Sequence, residues 1–490
     1  MNNVASRLGH SLCGRVSRRN FLADCGMGCF GLALGSLLQS EGIVRGSELA
    51  EQLGQPDFAP RAKYVIWLFM LGGTSHMESF DPKPALNQYA GKTIDESPYK
   101  SAILDSPFYR KNVRDFAGTP RALMSSIYPL QQTYRKRGES GIEVSDWWPH
   151  VGGCVDDLAI VRSMWTTDND HAAQLQFHTG RHIFDGFYPS IGSWVHYGLG
   201  SLNDNFPSFV VLGNGPGDCC GGDGAHQASY LGPEYAGVEL RIDPTNPLPF
   251  LTPGNTVSIR ERREQLDLLR DLNQITGVEY PDDPALRARI RAYELASRMQ
   301  MAVPEVMAFH SETAATQKLY GLDEPTTAPF GKNCLAARRL VERGVRFVQV
   351  YHPGSWDAHS KLKENHTNNC AQVDRPIAGL LKDLKQRGLL DETLVVWGTE
   401  FGRTPGAERS DGRDHHPYGF TVWLAGGGVR GGVVHGATDE LGFHAVEHRH
   451  YVTDLHATVL HQLGLNHRKL EIPGQKRLDI DFGEPIRAIL

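Results

Sequence analysis

Residues 64–73 read YVIWLFMLGG. The run from Tyr64 to Leu71 is apolar throughout, has the length of a strand, and ends in two glycines. A half-exposed strand alternates polar and apolar side chains, whereas a strand covered on both faces does not. The stretch therefore predicts a strand inside a parallel sheet with helices on both sides. The pattern recurs at residues 158–161, 208–212, 345–350, 393–397 and 420–424. Helices are expected between these strands, at 334–343 with Gly344 as the cap and at 373–387 ending at Gly388. Alternating helices and strands give an α/β fold with a central, largely parallel sheet.

The chain has 490 residues, 40% of them hydrophobic, which is ample for a large core. Net charge is −6, with no run of Lys or Arg long enough to suggest a nucleic-acid partner. Near the N-terminus, Ser17-Arg18-Arg19-Asn20-Phe21-Leu22 followed by a Gly-rich apolar stretch from Gly26 to Leu38 fits a twin-arginine export signal. That stretch is too short for a membrane span. With no clear cleavage site and no lipobox before Cys25 or Cys29, both a processed form and an N-terminal anchor stay open. The expected localisation is the periplasm or cell envelope, reached through the twin-arginine translocase.

Residues 1–40 read as the signal segment, 41–60 as a linker, and 61–490 as a single domain. Within it, residues 255–340 read as a helical insertion. Arg260 to Leu272 is charged and helical, Asp283-Pro284 is a cap with a first-turn proline, and Leu286, Ile290 and Tyr293 share one face. Met299 and Met301 are expected in the core. Of the eight cysteines, Cys13, Cys25 and Cys29 lie in or near the signal. The remaining five include Cys219-Cys220 and cannot all pair internally. An oxidising compartment permits disulfides without assigning them.

In open α/β sheets, ligands bind beyond the carboxyl ends of the strands. Four strand exits carry candidate groups: Ser75, His76 and Asp81; Asp170 and His171; Asp357 and His359; and Glu400 with His415 and His416 just beyond. Mixed His and carboxylate ligands suit Zn, Mn or Fe better than Ca or Mg. One or two such ions can polarise an ester oxygen and acidify bound water. Arg181 and Arg403 suit an oxyanion through forked hydrogen bonds. Each residue has a plainer reading: Asp170 caps a helix, His76 braces a turn, and 413–416 is an exposed loop. Their joint placement after successive buried strands favours the metal. The Gly213–Gly217 stretch lacks the Lys-Ser/Thr of a phosphate loop, and no G-x-S-x-G elbow is present.

The order of these motifs resembles the alkaline phosphatase/sulfatase superfamily. Phe177-His178-Thr179-Gly180-Arg181 is similar to the sulfatase "LLTGR", residues 391–402 (DETLVVWGTEFG) to "DTLVVFTSDHG", and residues 453–460 (TDLHATVL) to "DLxPTLL". More closely, the chain resembles the exported bacterial family catalogued as domain of unknown function 1501. The stretches that carry this are GGTSHMESFDPKP, YELASRMQ, RRLVERGVRFVQV, WDAHS, GTEFGRTP, GRDHHP and TDLHATVLHQLGL. The resemblance implies an alkaline-phosphatase-like, three-layer αβα fold. It implies that Asp357 and His359 fill the superfamily's Asp…His metal pair, that Glu400 matches the Asp of its Asp-His pair, and that His415 or His416 is its late His. Three departures stand out. Phe401 replaces the His of the Asp-His pair, Gly72 or Gly73 falls where the first acid belongs, and no C-x-P-S-R nucleophile precedes Thr179. Asp170 or His171 occupies about that nucleophile position. One metal, or a rearranged pair, is expected.

The expected function is metal-dependent hydrolysis of a phosphate or sulfate ester, on a small molecule or a polysaccharide. Asp357, His359, Glu400, His415 and His416 are the candidate ligands, and His171, Asp170 and Arg403 the candidate catalytic groups. Arg181, Ser75 and His76 are the candidate substrate contacts. The alternative is an envelope or polysaccharide-binding protein that keeps the fold without the chemistry.

Overall fold

A computed structural model describes residues 54–108, 126–215 and 302–490 apart from 353, 473 and 476, together with 217, 220–243 and scattered residues between 261 and 299. The expected signal segment, residues 41–53, Met301 and most of the expected helical insertion before residue 302 lie outside the described residues. Among the described residues nine strands form one sheet. These are β1 (Tyr64–Phe69), β2 (Leu158–Trp165), β3 (Phe209–Leu212), β4 (Val238–Leu240), β5 (Phe347–Tyr351) and β6 (Thr393–Gly398). After a short ribbon of β7 (Gly402–Arg403) and β8 (His415–His416), the sheet gains β9 (Phe420–Ala425), β10 (Val433–His435) and β11 (His450–Tyr451). The order across the sheet is β10-β2-β9-β6-β1-β5-β3-β4, with β11 beside β10 on β2. Only β9 runs antiparallel to its neighbours.

The apolar run that opened the reading is the central strand β1. Val65 pairs with Leu394 of β6 on one side and Phe347 of β5 on the other. Its side chains alternate between two separate cores. Ile66 and Leu68 join Val348, Val350, Val395 and Trp397 beneath α3 (Ala328–Val341) and α4 (Leu362–Gln386). Val65, Trp67 and Phe69 join Phe347, Val396 and Phe420 beneath α1 (Ala173–Thr179), α2 (Ile191–Leu199) and α5 (Val452–Gln462). The result is three layers, helices over sheet over helices. Burial on both faces explains the missing alternation, and each large apolar side chain buried in this way contributes about 2 kcal/mol.

Several boundaries differ from expectation. Helix α4 starts at Leu362, eleven residues before the expected Val373. Its first turns carry Lys363, Glu364, Thr367 and Asn368 on the exposed face and put the polar His366 and Asn369 on the buried one, so they lack an apolar period. The end of the expected insertion, α3, is a layer helix packed on the sheet, and Met299 is buried as expected. Neither Asn169 nor Asp170 caps α1 with its side chain. Asp170 instead offers its carbonyl to the Ala173 N–H and its carboxylate to the His171 N–H. Of the expected linker, residues 54–60 lie against the domain, with Gly54 N–H donating to Gly198 and Phe58 N–H to Gly464. Cys154, Cys334 and Cys370 are buried free thiols. Among the described residues no helix is long and apolar enough to cross a membrane.

Candidate metal centre

Strands β1, β2, β5 and β6 run in one direction, so their exits open on one edge of the sheet. Loop 72–81 leaves β1, loop 166–172 leaves β2, loop 352–361 leaves β5, and Thr399-Glu400 leaves β6. The ribbon β7–β8 folds back across them, pairing His415 with Arg403 and His416 with Gly402. Gly72 and Gly73 turn the chain at φ +112° and +84°, where L side chains are strained. A Cβ on Gly73 would also lie 2.3 Å from the Phe401 ring, and one on Gly72 2.6 Å from the Asp357 nitrogen. The departure noted at the first strand is therefore steric. Phe401 and the backbone fill the space an acidic side chain would need.

Asp357 is the hub. Its Oδ1 lies 3.0 Å from His415 Nε2, 3.0 Å from His359 Nε2 and 2.9 Å from an Arg403 guanidinium nitrogen. Its Oδ2 lies 3.2 Å from His171 Nε2. Burial opposes its charge, but His171, His359, His415 and Arg403 together hold the carboxyl well below the usual carboxylate range. His171 sits between two acids, with Nδ1 3.2 Å from Glu400 Oε1. Burial opposes protonation of this ring, and hydrogen bonds to Asp357 and Glu400 outweigh it, pushing its pKa up to about 10. Glu400 is fully buried and also accepts from the Gly72 N–H at 2.8 Å, with Thr399 Oγ1 standing 3.1 Å from its Oε2. His359 adds Glu408 on its Nδ1 side, and Asp414 Oδ1 stands 3.7 Å away. Asp357, first among its partners, raises the His359 pKa.

His415 carries the argument for a cation. Its Nδ1 faces the Asn169 carbonyl at 2.8 Å and its Nε2 faces Asp357 Oδ1 at 3.0 Å. Both partners are acceptors, and a neutral imidazole has one N–H to give. Burial keeps the ring neutral, lowering its pKa to about 3. One contact is therefore lone pair against lone pair unless a cation lies between. A ring N–H donated to a backbone carbonyl, with the other nitrogen aimed at the site, is the usual setting of a metal-bound His. Two trios bring their ligand atoms within 4.8 Å of one another: His171, Asp357 and His415, and His359, Asp414 and His415. The chemistry of the donors fits a Zn, Mn or Fe ion.

The other candidates lie elsewhere or are engaged. His416 projects from β8 on the side opposite His415, as neighbours in a strand must, and its buried ring stacks on Phe443 at 4.1 Å. It is outside both trios. Arg403 is fully buried and directs its guanidinium at the carbonyls of Gly72, Gly73, Trp356 and Arg413 as well as at Asp357. Each of its three nitrogens has a partner and the group is shut off from solvent, so it positions Asp357 and leaves no fork for an oxyanion. Arg181 pairs with Asp481, 2.6 Å between Nη2 and Oδ2, and covers the Tyr188 ring. The Ser75 hydroxyl donates to Glu78, which pairs with buried Arg413 at 2.7 Å. His76 is buried with its Nε2 on the Gly442 carbonyl. Asp81 bonds Lys83 at 3.1 Å and the Thr438 hydroxyl. The Asp170 carboxylate holds the His171 backbone rather than joining the cluster. Residues 413–416 form no exposed loop, since all four are buried. Glu408, Asp414 and Gln174, the last 3.4 Å from Glu400, were not anticipated. The only sequence signal for the two acids is that they share a loop with His415.

Solved structures with partial likeness include the phosphonate monoester hydrolase SpPMH from Silicibacter pomeroyi. It shows 13% identity and TM-score 0.35 over 69% of this chain and 71% of that one. The PsFucS1 sulfatase from Pseudoalteromonas sp. shows 12% and 0.35 over 86% and 70%. The lipoteichoic acid synthase LtaP from Listeria monocytogenes shows 9% and 0.37 over 89% and 78%. Overlaps of this size decide nothing about activity. No curated protein matches the chain. Residues 62–490 match the family model described as "Protein of unknown function (DUF1501)", and the chain belongs to that family.

Proposed function

We propose that this protein is an exported, metal-dependent hydrolase of phosphate or sulfate esters, acting on a small molecule or a polysaccharide. The observation that carries the reading is His415, a buried neutral ring with acceptors on both nitrogens beside the Asp357 carboxylate. Asp357, His415 and His171 are the proposed ligands of one ion, and His359 with Asp414 the proposed addition if a second binds. When bound, the metal supplies a polarised ester oxygen and an acidified water. Glu400 would hold the proton on His171 Nδ1 and so leave Nε2, beside Asp357, to the ion. Arg403 and Phe401 are positioning residues. Arg403 fixes Asp357, and the Phe401 ring packs 4.4 Å from His415 and 5.8 Å from His171. The ester class rests on the ordered acid and His loops that resemble the alkaline phosphatase/sulfatase superfamily, and export rests on the twin-arginine sequence. The test is turnover of aryl phosphate and aryl sulfate by metal-loaded protein and by His171→Gln. Turnover that falls at least tenfold in the variant supports the assignment, and equal turnover defeats it.

One observation favours a second reading, in which the cluster binds a ligand without turning it over. The hydroxyls of Ser75, Thr399 and Thr404 donate to Glu78, the Met70 carbonyl and the Gly406 carbonyl, and those of Thr74 and Thr166, which have no partner, are shut off from solvent. Metal-loaded protein that binds a sulfated or phosphorylated glycan and hydrolyses none would favour it.

A further inference from the structure

A separate group of potential ligands stands at the far edge of the sheet. Asp223 and His226 lie at either end of one 3-10 turn, Gly222–Ala225, and its following residue. Residues three apart in such a turn eclipse, so both side chains leave on one side. The turn is tied to the start of β4, because Gly237 N–H donates to the His226 carbonyl at 2.8 Å. Glu239, in the middle of β4, points at the same space. One ligand atom from each of the three lies within 4.8 Å of the others.

The imidazole gives the group its direction. His226 is 95% buried, although both acids are exposed. Its Nδ1 has no hydrogen-bond partner, and its Nε2 stands 3.5 Å from Glu239 Oε1. That spacing is long for a hydrogen bond. It is close to the ~3.4 Å that separates neighbouring ligands of a tetrahedral ion with bonds of about 2.1 Å. Burial lowers the pKa of His226, so the ring is a neutral ligand rather than a counter-ion. We propose that Asp223, His226 and Glu239 bind one divalent ion of the zinc class, apart from the Asp357 cluster. The ion would clamp the turn to β4, which has one strand neighbour among the described residues.

The experiment is a Zn²⁺ titration of the full exported chain, stripped with chelator, with stoichiometry read by elemental mass spectrometry after desalting. Wild type, His226→Ala and the shape-conserving Glu239→Gln are compared, and circular dichroism reports folding. The expected result is a loss of about one equivalent of zinc, or at least a tenfold weaker affinity, in both variants. The equivalents held by the Asp357 cluster remain, as shown by their loss in Asp357→Asn. Wild-type stoichiometry and affinity in folded Glu239→Gln would overturn the proposal, whatever His226→Ala does. Should Asp357→Asn bind no less zinc than wild type, that would count against the central site alone.

Discussion

His171 and His178 are seven residues apart, both sit at the start or on the body of α1, and both are largely out of solvent, yet their surroundings are opposite. His178 lies under the sheet against Trp67 and Phe69, with its Nδ1 on the Gln174 carbonyl at 2.7 Å. Burial pushes its pKa down to about 3. His456 is similar, with Nε2 on the Phe177 carbonyl and a pKa of about 4. Each of these rings has one acceptor for its one N–H and packs as a polar member of the core. His415 has more acceptors than protons, and His171 and His359 each stand between two acids. They converge on shared carboxylates, and their needs cannot be met ring by ring. An excess of acceptors, rather than the number of histidines, separates a candidate cation site from a satisfied core.

The largest effect that would test this contrast is on Arg403. Replacing it with Ala strands the Asp357 carboxylate and four carbonyls, and about 3–5 kcal/mol of stability should be lost in urea denaturation. Arg403→Lys should not restore it, since one ammonium cannot reach that fan of acceptors. Next come the adjacent histidines of β8. His415→Ala should weaken metal affinity by about 100-fold or more. His416→Ala should leave metal binding intact and lower the melting temperature through the cavity beside Phe443. Equal losses of metal in both would erase the distinction drawn from strand alternation.

The smallest effect lies in the satisfied core. His178→Phe should cost about 1 kcal/mol at pH 7 for the lost hydrogen bond. Its pKa in the folded state is depressed below 6.5. The stability it confers is therefore full above about pH 6.5 and is lost as pH falls toward 3. Removing the imidazole should flatten the acid side of the stability profile by up to about 1.4 kcal/mol per pH unit. A profile unchanged in His178→Phe would mean that the ring is not buried neutral.

Much of this frame is legible along the chain. The runs at 64–71, 345–350 and 393–397 became β1, β5 and β6 with ends shifted by two residues or fewer, because burial on both faces leaves a continuous apolar record. The meeting of Asp357, His171 and Glu400 followed from strand exits that share one edge. What failed depended on partners distant in sequence or on local geometry. Arg181 pairs with an acid 300 residues away. Arg403 looks like a free fork until the carbonyls of Gly72 and Gly73 are seen around it. His415 and His416 are equivalent as letters, and only the register of a two-residue ribbon separates them. The antiparallel insertion of β9 left no mark, since a strand buried on both faces reads alike in either direction.

The central claim is that the Asp357 cluster holds a divalent metal. The most direct measurement is the metal content of the purified wild-type protein and of Asp357→Asn, by elemental mass spectrometry, with circular dichroism on both. The account predicts about one or two equivalents of Zn, Mn or Fe at this cluster in wild type, missing from a folded Asp357→Asn. Folded wild type without stoichiometric metal, or a folded variant that keeps the full complement, would contradict it.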